Sequence, residues 1–208
     1  MDEALETSDR ILKESEQLFF RYGVKSITMD EIATHLGISK KTIYLFFTDK
    51  KELVFRVIES RLMKQEKEMA DISLKASDPV HEVILISDWL KDFFQNLNPY
   101  LMMEIQKYYP KAYSLFLEHK HKCMHENIFV NIQNGVESGL YRASIDIDTI
   151  ARLRMVCIEA SFNPDNFPLV KKNLNEVQLQ LIEHFLYGIC TLKGHKLINK
   201  YKQIKEEE

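Results

Sequence analysis

The sequence predicts an all-α protein of about nine helices: an N-terminal three-helix head with a helix-turn-helix, and a C-terminal helical body. Three observations predict it. Glycine and proline are scarce, six and five in 208 residues, and a lack of helix breakers favours long helices. Apolar residues recur at spacings of three and four, and no stretch alternates as a half-buried strand would. Capping side chains stand where the periodic runs begin.

The elements follow in order. Met1–Glu6 reads as a frayed end. A first helix runs from about Ser8 to Tyr22, with Ile11, Leu12, Ser15, Leu18 and Phe19 on its inner side, and Gly23 ends it. Thr28 and Glu31 have capping-box spacing and open a second helix. Gly37 stands where that helix ends and the backbone needs positive φ. Ser39 caps a very short third helix. Asp49 and Glu52 make another box and open a long connector from about Lys50. Two short helices joined by a tight, glycine-containing turn are the helix-turn-helix signature.

In the body, Asp78-Pro79 starts a helix to about Leu97, and Asn98-Pro99 starts a shorter one to about Lys107. Pro110 opens a long helix to about Ser138, closed by Gly139. Asp146 or Asp148 caps a helix to about Ser161. Residues 163–168 form a loop, and a last helix runs from about Val170 to Leu192, followed by a charged tail.

Composition narrows the function. Hydrophobic residues are 45% and charged residues 28%, as in an ordinary globular protein, and the net charge of −3 leaves any nucleic-acid affinity to a local patch. Arg21, Lys25, Lys40, Lys41, Lys50 and Lys51 form one. Cys123, Cys157 and Cys190 are odd in number and show no CxxC, which reads as reduced thiols in a cytoplasmic protein. The acidic N-terminus is no targeting signal, and no apolar run is long enough to span a bilayer, so no membrane partner is expected.

In the third helix Ile43 and Phe47 take the inward positions, leaving Lys40, Lys41, Thr42, Tyr44, Leu45 and Phe46 on the other face. A short helix of this character suits the DNA major groove. Lys40, Lys41 and Lys50 can neutralise phosphates. Thr28 and Ser39 can offer hydroxyls and helix N-terminal amides to phosphate, and Tyr44 its hydroxyl. Base reading would fall to Lys41, Thr42 and Leu45.

The segment from about residue 10 to 55 resembles the tetracycline-repressor (TetR-like) family of bacterial transcription regulators. The carrying residues are Ile11, Leu12, Leu18, Phe19, Gly23, Thr28, Ile32, Ala33, Gly37, Ile38, Ser39, Thr42, Tyr44, Phe47, Lys50 and Leu53. Beyond it, the likeness is in length and helical character alone. The resemblance implies that the exposed face of the third helix meets DNA. Two positions depart from the family: that of Lys41 is often small, and that of Phe46 is often a hydrogen-bonding aromatic, which leaves Phe46 to packing.

The helices over 150–160 and 179–190 are apolar nearly all round, as helices buried on two faces are. One face meets the core. The other plausibly meets a second copy through Ile150, Leu153, Cys157, Leu181 and Phe185, or both helices lie wholly in the core. The resemblance implies an intersubunit four-helix bundle, and a homodimer suits a recognition helix that reads a half-site. The middle helices carry Trp89, Phe93, Tyr100, Met103, Tyr113 and Phe116. Such side chains fill cores, and they also line apolar pockets; the resemblance implies an effector pocket in the body.

His119 and Cys123, and His121 and His125, have i, i+4 spacing, which can place two metal ligands together. The two pairs point to different sides of a helix, so no metal is assigned, and no cofactor. No nucleophile motif, phosphate loop or acid–base pair supports an enzyme. The sequence therefore predicts a DNA-reading head at 1–53 and a ligand-binding, dimerising body at 54–208. Its function would be that of a homodimeric regulator, most simply a repressor released from a palindromic operator on double-stranded DNA by a small, largely apolar or aromatic effector. The alternative is a small-molecule or metal-binding module with little DNA activity.

Overall fold

A computed structural model describes residues 2–163, 165–167 and 173–204, with side chains from residue 5 onward. Its helices are α1 (Asp2–Tyr22), α2 (Met29–Leu36), α3 (Lys40–Tyr44), α4 (Lys50–Lys75), α5 (Pro79–Phe94), α6 (Leu101–Tyr108), α7 (Pro110–His119), α8 (His125–Glu137), α9 (Ile147–Ser161), α10 (Leu174–Ile189) and α11 (Leu192–Lys202). A π-helical turn, Lys120–Met124, joins α7 to α8. The described residues contain no strand, only an isolated antiparallel bridge between Tyr141 and Cys190. None of their helices is long and apolar enough to cross a membrane. The three cysteines are free thiols.

The chain packs as two compact units. The first holds Met1–Gln65 and Asn96–His119; the second holds Glu66–Gln95 and Lys120–Glu208. These packing units differ from the division at residue 53/54 expected from function. The core of the first unit joins Ile11, Phe19, Ile32, Leu36, Ile43, Phe47, Leu53 and Val57 to Leu101 and Ile105 of α6 and Ala112 of α7. The second is built on Val80, Val83, Ile132, Tyr141, Ala151, Ile182, Leu186 and Ile198. Packing, not helix propensity, supplies most of the stability of such short helices.

Several expected joints move. The helix expected over 110–138 is interrupted at 120–124 by the π-helical turn, which inserts extra chain and breaks i, i+4 register. Asp146, not Asp148, caps α9: its Oδ1 accepts from the Thr149 N–H at 2.8 Å. The expected start of the last helix at Val170 falls outside the described residues. Asn173 caps α10, accepting from Glu176 N–H at 2.8 Å.

That helix does not reach Leu192 unbroken. Cys190 turns extended (φ −69°, ψ 148°) and Thr191 caps α11, a helix where a charged tail was expected. The break is held from afar: Thr191 N–H donates to Leu140 O at 2.9 Å, and Arg142 N–H to Ile189 O at 2.9 Å.

Candidate functional site

The helix-turn-helix is built from local hydrogen bonds. Thr28 Oγ1 accepts from Glu31 N–H at 3.2 Å, and the Glu31 carboxylate accepts from Thr28 N–H at 2.6 Å. Those Thr28 donors hold the Glu31 carboxyl below the usual carboxylate range. Gly37 closes α2 in the left-handed region at φ +66°, its N–H returning to Ala33 and Thr34 carbonyls, a conformation glycine adopts without Cβ strain. Ser39 Oγ accepts from Thr42 N–H at 3.0 Å and caps α3. The expected box at α4 forms with one partner displaced. Asp49 Oδ1 accepts from Glu52 N–H at 2.8 Å, but the Glu52 carboxylate reaches Thr48, taking its N–H and its hydroxyl at 2.6 Å each.

Long-range contacts then fix the motif in space. Arg10 of α1 donates to Leu36 O at 2.7 Å, and His35 Nε2 lies 3.0 Å from Glu14 Oε2. Glu104 of α6 accepts from Lys25 N–H at 2.8 Å, and Asn98 N–H donates to Phe20 O at 2.6 Å. The end of α1 and the loop that leads into α2 are thus held by Asn98 and by Glu104, the latter 79 positions from its partner in sequence.

The nine candidate DNA contacts separate by environment. Lys41 is exposed, and no ion pair engages it among the described residues. Tyr44 and Leu45 stand out at 44% and 74% exposed. Ile43 and Phe47 beneath them are buried, so packing presents this face outward. Lys40 is exposed but paired with Asp30 Oδ2 at 2.8 Å, which holds its ammonium above the usual lysine range. The hydroxyls of Ser39 and Thr42 lie 2.7 Å apart, and Thr28 is committed to its box. Phe46 is partly buried against the head core.

Lys50 differs most. Its ammonium donates to Val24 O and lies 5.9 Å from the Phe19 ring centre. Burial lowers its pKa from the usual lysine value, against the pull of Glu104 and Glu31.

The six candidate ligand residues fall in both packing units. In the second, Trp89 and Phe93 stack with centroids 5.0 Å apart, and Trp89 Nε1 donates to Glu68 Oε2 at 3.1 Å. In the first, Tyr113 and Phe116 stack at 6.2 Å and pack on the head core, while Tyr100 and Met103 are 50% and 43% exposed. Of the candidate dimer residues, Leu153 is 53% exposed and Val156 beside it 60%. Ile150, Cys157, Leu181 and Phe185 are half-buried.

The sequence reading missed Arg10, Glu104 and Arg154. Arg154, set between Leu153 and the run of Met155, Val156, Cys157 and Ile158 in α9, carried a visible signal; Arg10 and Glu104 carried none, because their partners are remote in sequence.

Comparison with known proteins agrees with this geometry. A family model described as bacterial regulatory proteins, tetR family, matches residues 11–57. The HTH-type transcriptional regulator YhgD of Bacillus subtilis is 40% identical over 72 residues, 35% of this chain and 37% of that protein. The HTH-type transcriptional repressor BepR of Brucella suis is 37% identical over 67 residues, 32% of each chain. In fold, a TetR-family transcriptional regulator from Agrobacterium tumefaciens superposes over 90% of this chain and all of its own, with a TM-score of 0.74 at 16% identity. In a helix-turn-helix of this kind the second helix is the one that lies in the DNA major groove. Residues 11–57 thus carry the TetR-family sequence pattern, and the chain shares the fold of a TetR-family regulator. The matched stretches span between about a third and about half of the first curated relatives' length.

Proposed function

We propose that the protein is a homodimeric transcription regulator, a repressor released from a palindromic operator by a small, largely apolar or aromatic effector. The observation that carries the reading is the outward face of α3. Exposed Lys41, Tyr44 and Leu45 sit over buried Ile43 and Phe47, on a helix small enough for the major groove. Residues 1–53 read DNA and 54–208 bind effector and partner. Lys41 meets a phosphate and a base edge, Thr42 and Leu45 meet base edges, Tyr44 and Lys40 meet phosphate, and Ser39 and Thr28 position the helix N-termini against the backbone. Phe46 packs beneath the face. Lys50 acts on DNA through the placement of α4. The named function of the relative BepR supports a repressor.

Two copies joined through Ile150, Leu153, Cys157, Leu181 and Phe185 must hold their two α3 helices about 34–36 Å apart, one turn of DNA, to read a palindrome. An effector bound in the helical body releases DNA only if it binds the two conformations unequally, typically by about 1–3 kcal/mol. The helix α4, which supplies residues to both packing units, is the connector. Free thiols and the helical composition accord with a cytoplasmic regulator that performs no catalysis.

The test is a fluorescence-anisotropy titration against the DNA upstream of the protein's own gene, at several salt concentrations. Tight binding that fades steeply with salt, unmatched by an unrelated duplex, is expected. Equal affinity for both duplexes would sink the proposal.

A further inference from the structure

Among the described residues the second unit buries two cations, Lys120 and Arg154, and of these only Lys120 has a counter-ion. Lys120, 4% exposed, places Nζ 2.9 Å from Glu159 Oε2. Arg154 of α9, 5% exposed, has no carboxylate partner among the described residues. Its Nη1 is buried with no hydrogen-bond partner. Its guanidinium carbon lies 5.7 Å from the centre of the Phe185 ring on α10. Beside it on α9, Ala151 and Met155 are buried.

A guanidinium stays charged in a protein. Burial lowers Arg154 only to about 10, with Cys157 pulling weakly the other way. A buried charge without partners is strongly unfavourable, and native structures seldom keep one idle. The polar pair formed by Ser161 at the end of α9 and Gln178 of α10 shows the contrast. Gln178 Nε2 donates to Ser161 Oγ, and both are buried and matched. Arg154 is therefore a buried cation whose Nη1 lacks an acceptor, with the ring of Phe185 beside it.

We propose that Arg154 anchors a carboxylate-bearing apolar ligand, the carboxylate accepting from Nη1 and the apolar portion lying against Phe185. This rests on reading the body as the effector-binding part. A planar guanidinium fork matches a carboxylate, and the apolar flank selects a monoanion with an aliphatic or aromatic tail over a strongly hydrated dianion. Phe185, assigned above to the subunit interface, would then serve the ligand from within its own subunit.

The experiment is a thermal-shift series on the full-length protein. The probes are octanoate, decanoate and benzoate, each beside its alcohol. At about a hundredfold above Kd, at least one carboxylate should raise Tm by roughly 5 °C or more, and its alcohol by much less. Arg154→Met should abolish the shift and Arg154→Lys should keep part of it. Without ligand, R154M should melt no lower than the wild type, because the charge it removes has no partner.

No shift from any carboxylate, equal shifts from acid and alcohol, or a shift surviving in R154M would each overturn the proposal. A ligand-free R154M that melts far below the wild type or does not fold would mark Arg154 as structural and overturn it as well. Isothermal titration of wild-type protein with decanoate and decanol gives the same discrimination without a variant. Operator binding is read separately. Its failure removes the regulator proposal alone, and failure of the carboxylates with operator binding intact removes this one alone.

Discussion

Lys50, the first residue of α4, donates its ammonium to the backbone carbonyl of Val24 in the loop between α1 and α2. A cation that sequence alone assigns to phosphate is thereby spent on joining the connector helix to the head. Lys41, nine residues earlier, is exposed and engages no ion-pair partner among the described residues. The two lysines should fail differently when removed.

Lys41→Ala should weaken operator binding and reduce the salt slope by about 0.9, the loss of one phosphate contact, with Tm unchanged. Lys50→Met should lower stability by about 1 kcal/mol, roughly 2–4 °C in Tm, and leave the salt slope as it was. Anisotropy titrations at four salt concentrations, beside thermal melts, check both. A salt slope that drops in K50M would return Lys50 to the phosphates.

Leu45 and Phe46 are neighbours with opposite expectations. Leu45→Ala, at a position 74% exposed, should change stability by less than about 0.5 kcal/mol while altering the preference for a thymine at one operator position. Phe46→Ala removes a ring packed on the head core and should cost about 2 kcal/mol. Urea denaturation of both variants decides whether the boundary between core and DNA face falls between these residues.

The Thr28–Glu31 box gives the head an acid limit. The hydrogen bonds from Thr28 hold the folded Glu31 carboxyl below the usual glutamate range. A carboxylate with a depressed folded pKa contributes stability that is present above its unfolded pKa and lost as pH falls through the folded one. Glu31→Gln should therefore shrink the difference in Tm between pH 7 and pH 3.5. Thr28→Ala should cost about 1 kcal/mol at pH 7 through the lost cap. Identical acid limbs in wild type and E31Q would show that the box contributes nothing in solution.

Gly135 has no room for a side chain. A Cβ there would sit 1.9 Å from a ring carbon of Tyr141. Tyr141 cannot retreat, because its hydroxyl bonds Pro79 O at 3.0 Å and Asn131 Oδ1 at 3.1 Å. Gly135→Ala should cost about 3 kcal/mol, at the upper end of overpacking, and a melt losing less than about 4 °C would contradict the packing described.

Leu153 and Val156 leave an apolar face of α9 in solvent. Leu153→Glu should convert the protein to a monomer in analytical ultracentrifugation, with circular dichroism unchanged and operator affinity sharply reduced. A wild type that sediments as a monomer at working concentration would remove the dimer from the proposal.

Much of the head was legible from sequence. Thr28, Glu31, Gly37 and Ser39 act through hydrogen bonds to residues within four positions, so their roles follow from spacing alone. The second box was legible only in part. Glu52 has both Asp49 and Thr48 within reach, and spacing could not choose between them. In the body, Pro79 behind Asp78 and Asp146 before Thr149 marked helix starts for the same local reason.

By itself, the sequence determined the fold class, the capped helix-turn-helix and its buried Ile43–Phe47 side, because helix caps and apolar periodicity are written in neighbours along the chain. Tertiary structure alone decided that Lys50 turns inward to Val24, that Glu104 holds the loop at Lys25, that the last helix breaks at Cys190 and that Arg154 is buried with no counter-ion among the described residues. Each of these depends on which remote surface a side chain or turn meets. That choice is made by packing elements far apart in sequence, and no local pattern encodes it.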